Sequence, residues 1–246
     1  MNIEGFSRLV KELYSANTLE VLEEICYAFT VLSKMDYYLL TILEKTSLYS
    51  PTLKLHSNFP SSHLKHIQKN TSCSNLFTSC QVDKHAPMHW QIGDSAIPEP
   101  ATKFAACMSN YNISCGLSIP IKSTSGELVF FNMLSESPQD SEHMETTLLF
   151  THSFAAHLID NYLRINKEMM SANKLSQREN DCLFWACEGK TAWEISQIIG
   201  LSQRTVTFHL MNITNKLRAN NRQHAVALAI MKGIIKPNFE GIKSYV

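Results

Sequence analysis

Apolar residues recur along the chain with two different periods, and each change of period marks an element. Ile3, Phe6, Leu9, Val10 and Leu13 form one stripe, and Leu19, Leu22, Ile25, Cys26, Phe29 and Leu32 form another. Returns every three or four positions line one face of a helix. Asn17-Thr18-Leu19-Glu20 interrupts and restarts the pattern, so residues 3–34 are expected to hold two helices. Tyr37 to Leu43 is instead almost continuously apolar, as in a strand covered on both faces. Pro51 breaks the chain after it, and Thr52 to His56 alternates as a second strand. Asn58-Phe59-Pro60 is a turn, and Ser61 to Gln68 fits a short helix. Residues 70–87 are rich in Ser, Thr, Asn and Cys, have no period, and are expected as loop, with Trp90 just beyond. Pro98 and Pro100 precede a helix, Ala101 to Met108. Ile113 to Ile121 and Leu128 to Leu134 form a hairpin around Ser123–Gly126. After Pro138 a long helix is expected over about 141 to 169. Its apolar positions occupy more than one face, so it is either buried on two sides within one copy or shared with a second copy. The order of elements implies an α+β domain, an antiparallel sheet covered by helices, over residues 1–165. Polar residues 166–173 make the linker to a second domain, 174–246.

That second domain has start and stop signals for four helices. Ser176-Gln177-Arg178-Glu179 and Thr191-Ala192-Trp193-Glu194 are capping boxes, in which a hydroxyl takes the third amide and the glutamate reaches back. Gly189 and Gly200 end the first two helices. Ser202 caps a third, with Val206, Leu210, Ile213 and Leu217 facing inward, and Asn221 caps a fourth that ends at Gly233. Two helices joined tightly at Gly200 predict a helix-turn-helix whose second member enters the DNA major groove. Its outward face carries Gln203, Arg204, Thr207, Phe208, Met211, Asn212 and Asn215. Arg and Gln bond base edges, and Phe or Met touches a thymine methyl. An ordinary helical bundle with a polar face is the alternative.

Charge sharpens this picture. The 246 residues carry no net charge, but residues 174–246 hold ten Lys/Arg against five Asp/Glu, and residues 1–173 hold twelve against seventeen. The excess of five positive charges coincides with the helix-turn-helix, where phosphates must be met. The seven cysteines form no CxxC and are expected as small buried thiols in a reducing cytosol. The N-terminus has no signal-peptide core, and no run approaches the ~20 apolar residues of a membrane span. A cytoplasmic protein, independent of membranes, is expected.

The stretch 174–235 resembles the DNA-binding domain of the LuxR family of bacterial transcription regulators. The likeness rests on Leu175-Ser176, Arg178-Glu179, Leu183, Gly189-Lys190-Thr191, Glu194-Ile195, Ile198-Ile199, Thr205-Val206, Phe208-His209, Asn212, Lys216-Leu217, Asn221-Arg222, Ala225 and Gly233. It implies a dimer on a pseudo-palindromic operator of double-stranded DNA, with RNA polymerase a further candidate partner. Arg204, Thr207, Met211 and Gln203 are then assigned to base edges, and Lys190, Thr191 and Lys216 to phosphate, with Thr205, Phe208 and Asn212 beside them. The last helix, with its small apolar Ala225 and Ala229, is expected to form part of the dimer contact.

The first domain resembles the ligand-binding domain of the same family, an α/β/α sandwich whose antiparallel sheet holds an acyl-homoserine lactone. The matching residues are Asn58-Phe59-Pro60, Pro87-Met88-His89-Trp90, Cys115-Gly116 through Pro120, and Asn132 where the family carries a pocket-facing Ser or Thr. Tyr38 and Phe104 are further expected lining. The polar anchors differ. Counting on from Asn58 without gaps, the family's lactone-binding Trp falls on His63, a Tyr on Ile67, the Asp-Pro pair on Leu76-Phe77, and the Tyr of its motif on Phe59. Each such hydrogen bond is worth about 1–3 kcal/mol, so their loss removes most affinity for a homoserine lactone. The resemblance therefore implies a regulator responding to another signal. One that needs no ligand, its pocket filled by its own side chains, is the alternative. A response regulator of the NarL/FixJ class would need an acidic cluster beside Asp36, which is missing. An enzyme would need more than this sequence offers. His56, His63, His66, His85 and His89 lack a partnered carboxylate motif, and there is no phosphate loop. Neither a metal nor a cofactor is expected.

Overall fold

The computed structural model describes residues 2–44, 52–69, 87–93, 101–123, 127–169 and 175–235. They divide into two compact units that part between Glu168 and Met169.

The first unit opens with α1 (Ile3–Ser15) and α2 (Leu19–Leu32), each started by a side-chain cap. Asn2 accepts from the Gly5 amide and Thr18 from the Val21 amide, which satisfies donors the first turn leaves open. Then come β1 (Tyr37–Glu44), β2 (Thr52–Ser57), α3 (Ser61–Lys69), β3 (Met88–Gln91), α4 (Ala101–Ser109), β4 (Cys115–Lys122), β5 (Leu128–Ser135) and α5 (Ser141–Met169). The strands form one antiparallel sheet in the order β2-β1-β5-β4-β3. Asp36 secures the point where β1 and β5 meet: its carboxylate accepts from the Ser135 hydroxyl at 2.8 Å and the Glu136 amide at 2.9 Å.

Alternation along the strands divides the core into two layers. Tyr38, Leu40, Ile42, Leu117, Ile119, Val129, Phe131 and Met133 face α1, α2 and α5, where Phe29 stacks on Phe154 with ring centroids 4.0 Å apart. Leu39, Leu43, Phe130 and Leu134 face the other way, toward Phe59 and Ile67 of the α3 region and Phe104 and Met108 of α4. Of the long helix, Met144, Phe154, Ala155, Leu158, Ile159, Tyr162 and Ile165 are all buried within this unit, while Leu149 stays 75% exposed. Most of its apolar surface is thus used inside one copy.

Two local expectations change. The strand Met88–Gln91 follows directly on the stretch 70–87 expected as loop and is not among the expected elements; its pairing with β4 supplies its order. Helix α5 keeps its expected bounds, Ser141–Met169, and so takes in the first residues of the stretch 166–173. Cys107 is disulfide-bonded rather than reduced, while Cys26, Cys115, Cys182 and Cys187 are free thiols. Burial pushes the Cys26 thiol far up, which keeps it protonated and inert.

The second unit is a four-helix domain: α6 (Gln177–Cys187), α7 (Ala192–Ile199), α8 (Gln203–Lys216) and α9 (Arg222–Met231). Cys182, Leu183, Ile195, Val206, Leu210, Ile213, Ala225, Leu228 and Ala229 form its core. Both capping boxes are present. Ala225 and Ala229 are buried at 2% and 0% exposure, where their small size serves helix packing, so a contact made by this helix would use its other residues. Ile230 is the exposed apolar residue of α9. Ile198 of α7 is likewise outward.

Gly116 is the tightest point of the sheet. A Cβ there would meet Trp90 Cζ2 at 2.6 Å and the Met133 carbonyl oxygen at 2.9 Å. Gly116→Ala is therefore expected to destabilise the protein by about 1–3 kcal/mol, read as a melting temperature several degrees lower. An unchanged melt would show that Trp90 is not held against the sheet.

Candidate functional site

The C-terminal unit presents one helix face. At the turn, Gly200 adopts a left-handed conformation (φ 67°), and the Leu201 amide donates to the Ser196 carbonyl at 3.1 Å. A β-carbon is strained there, so glycine permits the short connection. Ser202 then caps α8 by accepting from the Thr205 amide at 3.1 Å. The helix buries Val206, Leu210 and Ile213 and turns Gln203, Arg204, Thr207, Phe208 and Met211 outward around one shallow concavity. Phe208 and Met211 are 59% and 62% exposed, unusual for large apolar side chains on a folded unit. Arg204 makes no hydrogen bond or ion pair with the described residues. The Thr207 hydroxyl donates to the Gln203 carbonyl at 2.9 Å, so Thr207 shows its methyl group outward. Asn212 and Thr205 are half-buried at the sides, and Asn215 is exposed further along.

Below this face, an ion pair ties α6 to α8. Lys216 Nζ lies 2.7 Å from Glu179 Oε2, and the same carboxylate oxygen accepts from the Ser176 amide at 2.6 Å. Burial pushes the Glu179 carboxyl up, but the Lys216 and Ser176 hydrogen bonds outweigh it and hold it below the usual carboxylate range. Lys216, assigned to phosphate from the sequence, thus has its ammonium engaged inside the unit. Lys190 is half-buried at the start of α7, and its carbonyl accepts from Arg222. The Thr191 hydroxyl donates to Glu194 at 2.7 Å within the capping box. The sequence carried no sign of the Glu179–Lys216 pair, which joins residues 37 apart.

On the first unit, one sheet face brings most of the expected lining together. Phe59, Ile67, Trp90 and Phe104 share a buried cluster, with Trp90 and Phe104 edge to face at 5.7 Å. His63 packs its ring 5.9 Å from Phe59 and 5.2 Å from Tyr111. Gly116 lies under Trp90. Trp90 Nε1 donates to Ser118 Oγ at 3.2 Å, Ser118 donates to Asn132 Oδ1 at 2.8 Å, and Asn132 Nδ2 donates to the Leu39 carbonyl at 3.1 Å. Asn132 is therefore on the expected face, with both ends of its amide engaged. Ser118, not singled out from the sequence, shares that face by strand alternation from Gly116. Tyr38 is misassigned: it sits among the residues facing α2 and α5, against Phe131, because its neighbours Tyr37 and Leu39 take the other side. Leu76, with Phe77 and His85, lies outside the described residues. Among the described residues no three His, Cys, Asp or Glu side chains are grouped to hold a metal ion, and no helix is long and apolar enough to cross a membrane.

A capped helix-turn-helix that follows an antiparallel sheet domain along the chain defines a DNA-binding regulator with a separate sensing unit. Two family models match the chain in that arrangement: the autoinducer binding domain over residues 18–161 and the bacterial regulatory proteins of the luxR family over residues 173–229. The chain belongs to the LuxR family of regulatory proteins, which act on transcription and are not enzymes. It is 28% identical over 244 residues to the transcriptional activator protein LuxR of Aliivibrio fischeri, covering 96% of either chain. Its fold matches a crystal structure of Escherichia coli SdiA with a TM-score of 0.73 at 18% identity, covering 94% of this chain and 98% of that one. It also matches SdiA in complex with octanoyl-rac-glycerol with a TM-score of 0.71 at 19% identity, covering 97% and 99%.

The depressed carboxyl of Glu179 has a consequence for acid stability. What that carboxylate contributes is fully present above its ordinary value of 4.5 and is lost as the pH falls through the lower folded value. Glu179→Gln should lower stability at neutral pH and flatten its fall between about pH 5 and 3. An acid profile identical to the unaltered protein would refute the pairing with Lys216.

Proposed function

We propose that this protein is a signal-responsive transcription regulator that binds operator DNA as a homodimer. Residues 1–165 form its sensing domain, 166–173 the link, and 174–246 its DNA-binding domain. The observation that carries the reading is the outward face of α8, where a guanidinium without a partner among the described residues, an amide and two large apolar side chains share one concavity. Arg204 and Gln203 suit the edges of bases, while Thr207, Phe208 and Met211 suit thymine methyl groups. Lys190 and Thr191 meet phosphate, and Thr205 and Asn212 flank the contact. Lys216 acts mainly through Glu179, setting how α8 stands on α6. Two copies related by a two-fold axis place their recognition helices in major grooves about 34 Å apart. Such a regulator works in the cytoplasm, where the DNA is, and as an activator it would touch RNA polymerase.

The first unit binds a small signal other than an acyl-homoserine lactone, because Phe59 and Ile67 replace polar anchors with apolar ones. A ligand-free regulator is the second reading, favoured by the closed hydrogen-bond chain of Trp90, Ser118 and Asn132.

Selection from a pool of random duplexes is expected to return a two-fold symmetric site. On that site Arg204→Ala should cost about 1–3 kcal/mol of specific binding and leave binding to unrelated DNA nearly unchanged. An unchanged preference among sites would remove Arg204 from the base-reading face.

A further inference from the structure

The face that α8 turns outward is built mainly of carbon. Around its concavity, Gln203 and Arg204 end in hydrogen-bonding groups, while Thr207, Phe208 and Met211 do not offer one freely. The Thr207 hydroxyl gives its proton to the Gln203 carbonyl, so a methyl group is what it shows outward. Phe208 and Met211 are exposed, with the Phe208 ring flanked by that of His209 at 5.9 Å. Adjacent large apolar side chains left in water mark a surface that something covers. The charge around them says what. Helix α8 (Gln203–Lys216) contains neither Asp nor Glu, and residues 174–246 carry ten Lys/Arg against five Asp/Glu. A polyanion suits that setting.

This set of side chains limits what the face can tell apart. Purines are read by hydrogen bonds, guanine by Arg and adenine by Gln. Cytosine is read through its N4 amino group by a carboxylate, and α8 has none. In the major groove thymine differs from cytosine at position 4 and by its 5-methyl group. A phenyl ring, a thioether and a methyl group sense only the second difference. We propose that α8 reads pyrimidine 5-methyl groups, so that 5-methylcytosine can stand in for thymine in the operator and uracil cannot. The inference rests on α8 being the recognition helix. It adds a form of control that needs no signal molecule: a methyl group placed on a half-site cytosine strengthens binding. Arg204 and Met211 lie about 10 Å apart along the helix axis. The methyl groups therefore fall within about three base-pair steps of the guanine that Arg204 reads.

The test uses the full-length protein and the duplex returned by selection from a random pool. In a second duplex, deoxyuridine replaces every thymine of both half-sites; it pairs identically and lacks only the methyl group. In a third and a fourth, one T·A pair of each half-site, within about three steps of the guanine, becomes C·G or 5-methylcytosine·G. A buried methyl group is worth about fourfold in affinity, so the uracil duplex should bind about fifteenfold more weakly over two half-sites. The 5-methylcytosine duplex should bind more tightly than the cytosine one by about fourfold per half-site. Phe208→Ala and Met211→Ala remove exposed side chains, so the melting temperature should hold while the ratio of thymine to uracil binding falls toward one. That ratio is internal to each variant and independent of its overall affinity. Equal binding of the thymine and uracil duplexes would overturn the proposal, leave DNA binding intact, and return Phe208 and Met211 to a protein partner. An undiminished ratio in both variants would trace the methyl effect to the shape of the DNA and overturn it as well. So would a selected half-site with no T·A pair near its guanine. Failure to bind any duplex in the pool would overturn the recognition-helix reading itself.

Discussion

A single line of hydrogen bonds runs across the middle of the sheet, from the Trp90 indole through Ser118 and Asn132 to the Leu39 carbonyl. It joins β3, β4, β5 and β1, and every side chain in it is buried. Buried polar groups are tolerated when each finds a partner, and a satisfied chain of them fixes one register among the several that apolar strands permit. Trp90 can take its place only because Gly116 has no side chain beneath it. The position of Trp90 in turn places Phe104 and hence α4 against the sheet. The shape of the face opposite α1, α2 and α5 therefore depends on this line.

The same line decides what the face has left to offer a small molecule. With the Asn132 amide engaged at both ends, the conspicuous polar residue of this face is already satisfied from within. The second unit engages many of its polar residues in the same way. Glu179, Lys216, Thr191 and Arg222 are charged or polar residues that serve the packing of the helices on one another. Arg204, Gln203, Phe208 and Met211 are left outward, and a partner is what would cover them.

Much of this was legible in the chain itself, because local signals and tertiary structure agree. The capping boxes at Ser176 and Thr191, the glycines at 189 and 200, and the apolar stripe of α8 appear where periodicity and cap chemistry put them. Periodicity does not show which residues meet across the fold. The Glu179–Lys216 pair, the role of Ser118 and the burial of Ala225 and Ala229 come from contacts distant in sequence. Tyr38 was assigned to the wrong face because an almost wholly apolar strand carries no alternation to tell one side from the other. The strand at Trp90 is short and takes its order from β4, not from its own residues.

The central claim is that the first unit holds a small molecule while the second addresses DNA. Its most direct test is native mass spectrometry of the protein purified from its own host, under gentle and then denaturing conditions. The account predicts a dimer carrying a small molecule that leaves on denaturation. A clean ligand-free dimer that binds its operator with full affinity would contradict it and point to a pocket closed by its own side chains.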